Sequence, residues 1–346
     1  MKRTMHEVTK EQPLLENGTI KEPGWAKNPV WQYSRAAITA PKTRIKEWDC
    51  YIVTNSKYSF SAIISDCAVC GLITADIVSF ENKKYHSQPK ITLFPMGKYN
   101  MPESSLHGNI KRKIGRGESE FIVDGKTRYL KGAFPKFTRN NENLIFDIKL
   151  DEVCPDTMTI ATPFENPNRF YYNRKINLMR VSGSVKLGQN EIVFDPNDSF
   201  STLDWGRGVW PYKCTWYWSS LNAQLEDGDL FGWNLGYGFG NTTAASENVL
   251  YYNGTAHKLD DVTFEIPIKG RSVDFMSKWH ILSSDGRLDV YLEPIVDKIN
   301  PLNLGIIAMI GHQVFGKFSG FAILDDGSKI ELKGLIGFAE KVCNKW

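Results

Sequence analysis

Apolar and polar residues alternate with a period of two along much of this chain. From Trp48 onward the apolar positions fall in short runs, Trp48 to Val53, Tyr58 to Ile64, Leu72 to Phe80 and Ile91 to Phe94. No segment keeps a helical period for three turns, which points to strands throughout. After Asp285-Gly286 the pattern is plain: Leu288, Val290 and Leu292 oppose Asp289, Tyr291 and Glu293, so one face is buried and Glu293 lies on the other. Asx-Gly pairs at Asp124-Gly125, Asn253-Gly254, Asp285-Gly286 and Asp326-Gly327 supply the positive φ values of tight hairpin turns. An all-β chain is predicted.

A length of 346 residues favours two domains over one. Residues 1–45 are polar and turn-rich, yet Trp25, Trp31 and Tyr33 predict an arm packed on the body. Asp124-Gly125-x5-Lys131-Gly132 is echoed by Asp326-Gly327-x5-Lys333-Gly334, as expected if each half carries a related hairpin. Between the halves, residues 153–200 are rich in Pro, Asn and Asp. We therefore expect an arm (1–45), a first β-barrel or β-sandwich domain (46–182) and a second in tandem (183–346), with closed or nearly closed sheets hiding the strand edges.

Charge and cysteine content narrow the function classes. A net charge of +3 without a long basic stripe gives nucleic acid no footprint. The basic N-terminus is not followed by the apolar segment of a secretory signal. The longest apolar stretch, Leu304 to Ile310, is far short of the roughly 18 residues a membrane span needs. Six cysteines in so long a chain do not make a disulfide framework, and a cytoplasmic location follows as the expectation. The single C-x-x-C, Cys67 and Cys70, sits between strand-like flanks and reads as structural, the two side chains facing opposite sides. Metal-ligand spacings, nucleotide-binding glycine fingerprints and the G-x-S-x-G elbow are all missing, so neither metal nor cofactor is expected.

The candidate chemistry gathers at 204–248. Five of the ten tryptophans lie between Trp205 and Trp233. At the head of this stretch, Asp204-Trp205-Gly206-Arg207-Gly208 places two glycines around an arginine, which predicts a turn bringing Asp204 and Arg207 together. The next run reads as a strand, with Trp216 and Trp218 on one face and Thr215 and Tyr217 on the other. Glycines alternate with bulk from Gly232 to Gly240, leaving room for a ligand or a facing ring. Two readings stand: Asp204 and Arg207 form a structural clamp, or Asp204 is a general acid in an aromatic pocket whose desolvation raises its pKa. Glu247 and His312 are further catalytic candidates.

The core D-W-G-R-G-V-W-P-Y at 204–212, with Gly316 to Gly320 and Asp326-Gly327 downstream, resembles a bacterial family described only as a domain of unknown function. More distantly it is similar to the lipocalin-like group of carotenoid 1,2-hydratase, tocopherol cyclase and the AttH proteins, in which a D-H-x-W-G-x-R type motif stands in the equivalent place. That resemblance implies two lipocalin-like domains and an aspartate that protonates an alkene, a role it carries to Asp204 alone. The histidine and one spacer residue of that motif are absent here.

Tryptophan faces stabilise a developing carbocation, bind apolar chains and also stack on sugar rings. The expectation is acid-assisted hydration, cyclisation or isomerisation of a small, largely apolar substrate. Asp204 is the acid, Arg207 orients it or anchors substrate, and Trp205, Trp210, Tyr212, Trp216, Trp218, Trp233 and Asn234 line the pocket. A carbohydrate-processing enzyme pairing Asp204 with Glu247 or Glu293 is one alternative, and a non-catalytic lipid, isoprenoid or glycan binder is another.

Overall fold

The computed structural model describes residues 5–303, 305 and 307–345, so Leu304 and Ile306 of the longest apolar stretch lie outside the described residues, as do positions 1–4 of the arm. The described chain is all-β apart from two single-turn 3-10 segments, and its strands form two large antiparallel, barrel-like sheets, giving two lipocalin-like domains in tandem. No helix among the described residues is long and apolar enough to cross a membrane, a statement that leaves strands aside.

The first sheet runs in the order Ile110–Ile114, Gly117–Asp124, Thr127–Phe134, Leu144–Asp151, Phe170–Leu187, Phe200–Val209, Ile45–Thr54, Tyr58–Asp66, Cys70–Ser79, Lys84–Leu93. The second is built around Lys213–Gln224, Lys329–Lys345, Ala308–Ile323 and Leu288–Asn303. The change of sheet therefore falls at 210–212, not near Gly183, which lies inside the long strand Phe170–Leu187. The Pro- and Asn-rich composition that suggested a boundary belongs instead to the turns on either side of that strand. Part of the arm joins the first sheet: Gly24–Ala26 pairs with Met158–Pro163, and Trp25, Trp31 and Tyr33 are buried.

Period-two alternation sorts the apolar side chains into three clusters. One fills the first barrel (Tyr51, Val53, Phe60, Phe146, Trp205, Val209) and another the second (Trp233, Leu235, Trp279, Val314, Phe318). The third (Cys50, Ile52, Tyr171, Trp210, Trp218, Phe315, Phe338) lies between the two sheets. Neighbours along one strand thus part company: Tyr51 goes inside while Cys50 and Ile52 face the other domain.

One irregularity tunes this arrangement. The strand Phe170–Leu187 has a bulge between Ile176 and Met179, where Leu178 takes φ 59°. Ile176 and Met179 both stay inside the barrel, while Asn177 and Leu178 are free to meet the second sheet. Asn177 Nδ2 donates to Ser220 Oγ and Asn222 Oδ1, each at 2.9 Å. A bulge re-aims side chains in this way without ending the ladder.

The predicted turn at Asp204 to Gly208 is a strand instead, Phe200–Val209. Its glycines serve packing: a Cβ on Gly206 would fall within the Trp48 ring, and one on Gly208 would stand 2.5 Å from the Phe170 carbonyl oxygen and 3.1 Å from Trp210 Nε1. Cys67 and Cys70 bracket the hairpin turn between Tyr58–Asp66 and Cys70–Ser79, with Ala68 at φ 65°, where flanking strand character predicted a continuous strand. Burial raises both thiols, Cys67 to about 11, so neither is an activated nucleophile.

Candidate active site between the two sheets

Asp204 projects from the outer face of the first sheet toward the second. Asn173 Nδ2 donates to its Oδ1 at 2.6 Å, and Lys175 Nζ lies 2.8 Å from the same oxygen. Asn173 and Lys175 stand two apart on the adjacent strand and so share its outer face. Two donors on one oxygen suit a carboxylate. Oδ2 takes no hydrogen bond from the described residues, and the side chain keeps 14% exposure.

The second sheet answers with a row of polar and aromatic groups. Trp218, Glu340, Gln313 and Lys298 lie side by side across four strands, all on the face that meets the first domain. The Trp218 ring covers the Lys175 ammonium at 4.0 Å, a cation–π contact within a desolvated interface. Glu340 accepts from Trp216 Nε1 and from Gln313 Nε2, each at 3.0 Å. Lys298 crosses to the first sheet and pairs with Asp76 at 2.7 Å, where Ser61 Oγ also donates.

Glu247 enters from the loop after the strand Leu230–Tyr237. Tyr171 Oη donates to its Oε2 at 3.1 Å, while Oε1 is buried and without a partner. Gly236 makes this possible, since a Cβ there would stand 2.6 Å from Oε1. Asn234 ties the loop down: its Oδ1 accepts from Trp218 Nε1 (2.7 Å) and its Nδ2 donates to the Glu247 carbonyl (3.0 Å).

Burial dominates the electrostatics. It raises the Glu247 carboxyl, with Lys175 opposing and Asp204 reinforcing the shift. It pushes Glu340 up to about 7 despite the Trp216 hydrogen bond and the Lys298 and Lys175 charges. Two carboxyls raised by burial therefore flank the Asp204 side chain, which is held by the Lys175 ammonium, an arrangement that can supply a proton donor and a proton acceptor side by side. An aromatic wall adjoins them: Trp210 packs on Trp48 (5.8 Å) and Trp216 (5.4 Å), and Tyr171 stacks on Phe239 (4.9 Å).

Asp204, Glu247, Trp210, Trp216, Trp218 and Asn234 thus come together. The other sequence candidates do not. Arg207 points into the first barrel, where Nη2 donates to Asp49 Oδ1 (2.9 Å), Nη1 to the Trp48 carbonyl (2.8 Å), and the guanidinium lies over Trp205 (3.9 Å). Three positions along a strand Asp204 and Arg207 face opposite sides, so the expected contact between them is not made. Trp205 belongs to the first barrel's core and Trp233 to the second's, and Tyr212 sits half-buried at the change of sheet beside Arg44 and Lys345. His312 lies on the opposite face of the second sheet from Gln313, paired with Asp297. Glu293 is solvent-exposed beside Lys278.

Lys175, Asn173, Tyr171, Glu340 and Lys298 escaped sequence reasoning. A signal existed in Tyr171-x-Asn173-x-Lys175-x-Asn177, a polar stripe interleaved with Tyr172 and Ile176.

This architecture is that of a tandem, barrel-like all-β protein whose domains share one aromatic, acidic face. The chain belongs to the family described as Domain of unknown function (DUF2804), whose pattern matches residues 5–346. No curated protein matches it in sequence. Solved structures of similar fold include CghA with Sch210972 (TM-score 0.56, 11% identity, 88% of each chain). AttH from Nitrosomonas europaea gives a TM-score of 0.53 at 15% identity over 91% of this chain and 98% of that one. Kievitone hydratase from Nectria haematococca gives 0.50 at 12% identity over 97% and 98%. At these identities the likeness is one of fold.

Proposed function

We propose that this protein is an enzyme of acid–base chemistry on a small, largely apolar substrate held between its two domains, adding water across, cyclising or isomerising a carbon–carbon double bond. The observation that carries the reading is the carboxyl set Asp204, Glu247 and Glu340 gathered around Lys175 against the Trp210–Trp216 wall. For hydration, the carboxyl of Glu340 or Glu247 gives its proton to one alkene carbon, and water then bonds to the other carbon as Asp204 Oδ2 takes a proton from it. The proton on Asp204 afterwards returns to that glutamate, which restores both groups. Indole faces stabilise the cationic character that develops between these transfers. Asp204 thereby acts as the base of the pair, a different role from the acid that the distant resemblance implies.

Access is supported from one end of the shared face. Asp204, Trp48, Ile63 and Trp216 are only half-buried. A cleft of about 660 Å³ lined by Cys214, Leu302, Met309 and Asn344 continues the face beyond Trp216. Among proteins of similar fold, one is by name a hydratase and another was solved with a small molecule.

The test is deuterium incorporation from D2O into a panel of apolar alkenes and enones, followed by mass spectrometry. Wild type should label at least one compound, and Asp204→Asn should slow labelling by about a hundredfold or more. Saturable quenching of tryptophan fluorescence with no label in any compound would instead identify a binding protein.

A further inference from the structure

The second barrel has an opening of its own, on the opposite side of its sheet from Glu340. Residues 266–277 leave the sheet between the paired strands Val262–Glu265 and Trp279–Ser283. They form a small hairpin, Ile268–Lys269 against Ser272–Val273, turned by Gly270 at φ 64°. After the hairpin Phe275 stacks flat on His312, centroids 3.7 Å apart and planes within 5°. His312 Nδ1 is in turn 2.8 Å from Asp297 Oδ2. Asp297 is cross-strand partner to Val314 of the barrel core, so it faces the barrel side of the sheet.

Asp297 has a second oxygen, Oδ1, that is buried and without a hydrogen-bond partner among the described residues. The residue lines a cleft of about 420 Å³, whose other walls include Lys269, Ser272, Asp274, Phe275 and Met276. A carboxylate oxygen in this position is unsatisfied until a donor arrives, and a charged donor satisfies it best. Asp274 is already engaged by Ser277 Oγ at 2.9 Å and the Met276 N–H at 3.2 Å, and Lys269 is solvent-exposed. An anion would meet both carboxylates. A cation with a short apolar tail meets Asp297 at one end and Phe275 and Met276 along its length.

We propose that this cleft binds a small organic ammonium ion, the ammonium donating to Asp297 Oδ1 and the tail lying against Phe275 and Met276. Asp297 supplies the charge, His312 fixes the carboxylate through its other oxygen, and the hairpin closes over the occupant. The site is separate from the face shared by the two domains and stands or falls independently of the chemistry proposed there.

Titration calorimetry of the full chain with butylammonium chloride tests it, with sodium chloride at matched ionic strength as reference. Saturable binding is expected, weakened about tenfold or more by Asp297→Asn. Should that variant fail to fold, Ser272→Trp fills the cleft from an exposed hairpin position and should abolish binding with the fold intact. Asp204→Asn should bind as wild type does. No saturable heat, undiminished affinity in either cleft variant, or equal affinity for neutral butanol would overturn the proposal.

Discussion

Lys175 and Asp204 hold one another across neighbouring strands of the first sheet at 2.8 Å, and Trp218 of the second sheet seals the ammonium from above at 4.0 Å. The pair thus belongs to both domains. Lys175→Met should destabilise the protein by about 3–5 kcal/mol, because it strands a largely buried carboxylate. Adding Asp204→Asn to that variant should restore part of the loss. Urea unfolding of the two single variants and the double gives the coupling, and strictly additive losses would show that the two groups do not act as a pair.

Glu340 makes stability depend on pH. Its carboxyl titrates near 7 in the folded chain against an ordinary value of 4.5. Between those limits the folded state holds a proton that the unfolded state has released, so stability falls as pH rises. A shift of this size corresponds to on the order of 3 kcal/mol. Glu340→Gln should remove that slope: the difference in unfolding free energy between variant and wild type should grow from pH 4.5 to 7, in the variant's favour. A constant difference across the range would contradict the assignment.

Arg207 is expected to matter for folding and not for chemistry. Buried on Asp49 and on three backbone carbonyls, it should cost about 3–5 kcal/mol when replaced by Met. The folded fraction of Arg207→Met should retain wild-type deuterium labelling per molecule, unlike Asp204→Asn. Labelling lost without loss of stability would return Arg207 to the active site.

Gly206 is occupied space. Gly206→Ala must displace the Trp48 ring, and overpacking of this kind costs about 1–3 kcal/mol. Trp48→Leu should relieve much of that cost when combined with it. Thermal unfolding of the single and double variants checks the point, and an unaffected Gly206→Ala would show that the ring has room to move.

Strand content was legible because period-two alternation is a local property, and the aromatic concentration drew attention to the right stretch. The faces were harder. Glycine beside Arg207 reads equally well as a turn or as a strand pressed against rings, and only the ladder to Ile45–Thr54, which brings Trp48 opposite Gly206, decides between them. Glu340 and Lys298 lie far along the chain from the first-sheet carboxylates they face, Asp204 and Asp76, and approach them only when two sheets are laid face to face. No spacing in the sequence encodes that meeting. Their own strands are amphipathic, but amphipathicity does not say whether the polar side looks at water or at another domain.

The strand Phe200–Val209 serves both sides of its sheet at once, with Asp204 looking outward and Trp205 and Arg207 inward. Substitutions can be absorbed one side at a time. A single-residue insertion or deletion that no bulge takes up would exchange the two sides beyond it, sending the acid into the barrel or the guanidinium into the cleft. Length here is under stricter constraint than composition, and natural variation in this segment should take the form of replacement far more often than of indels.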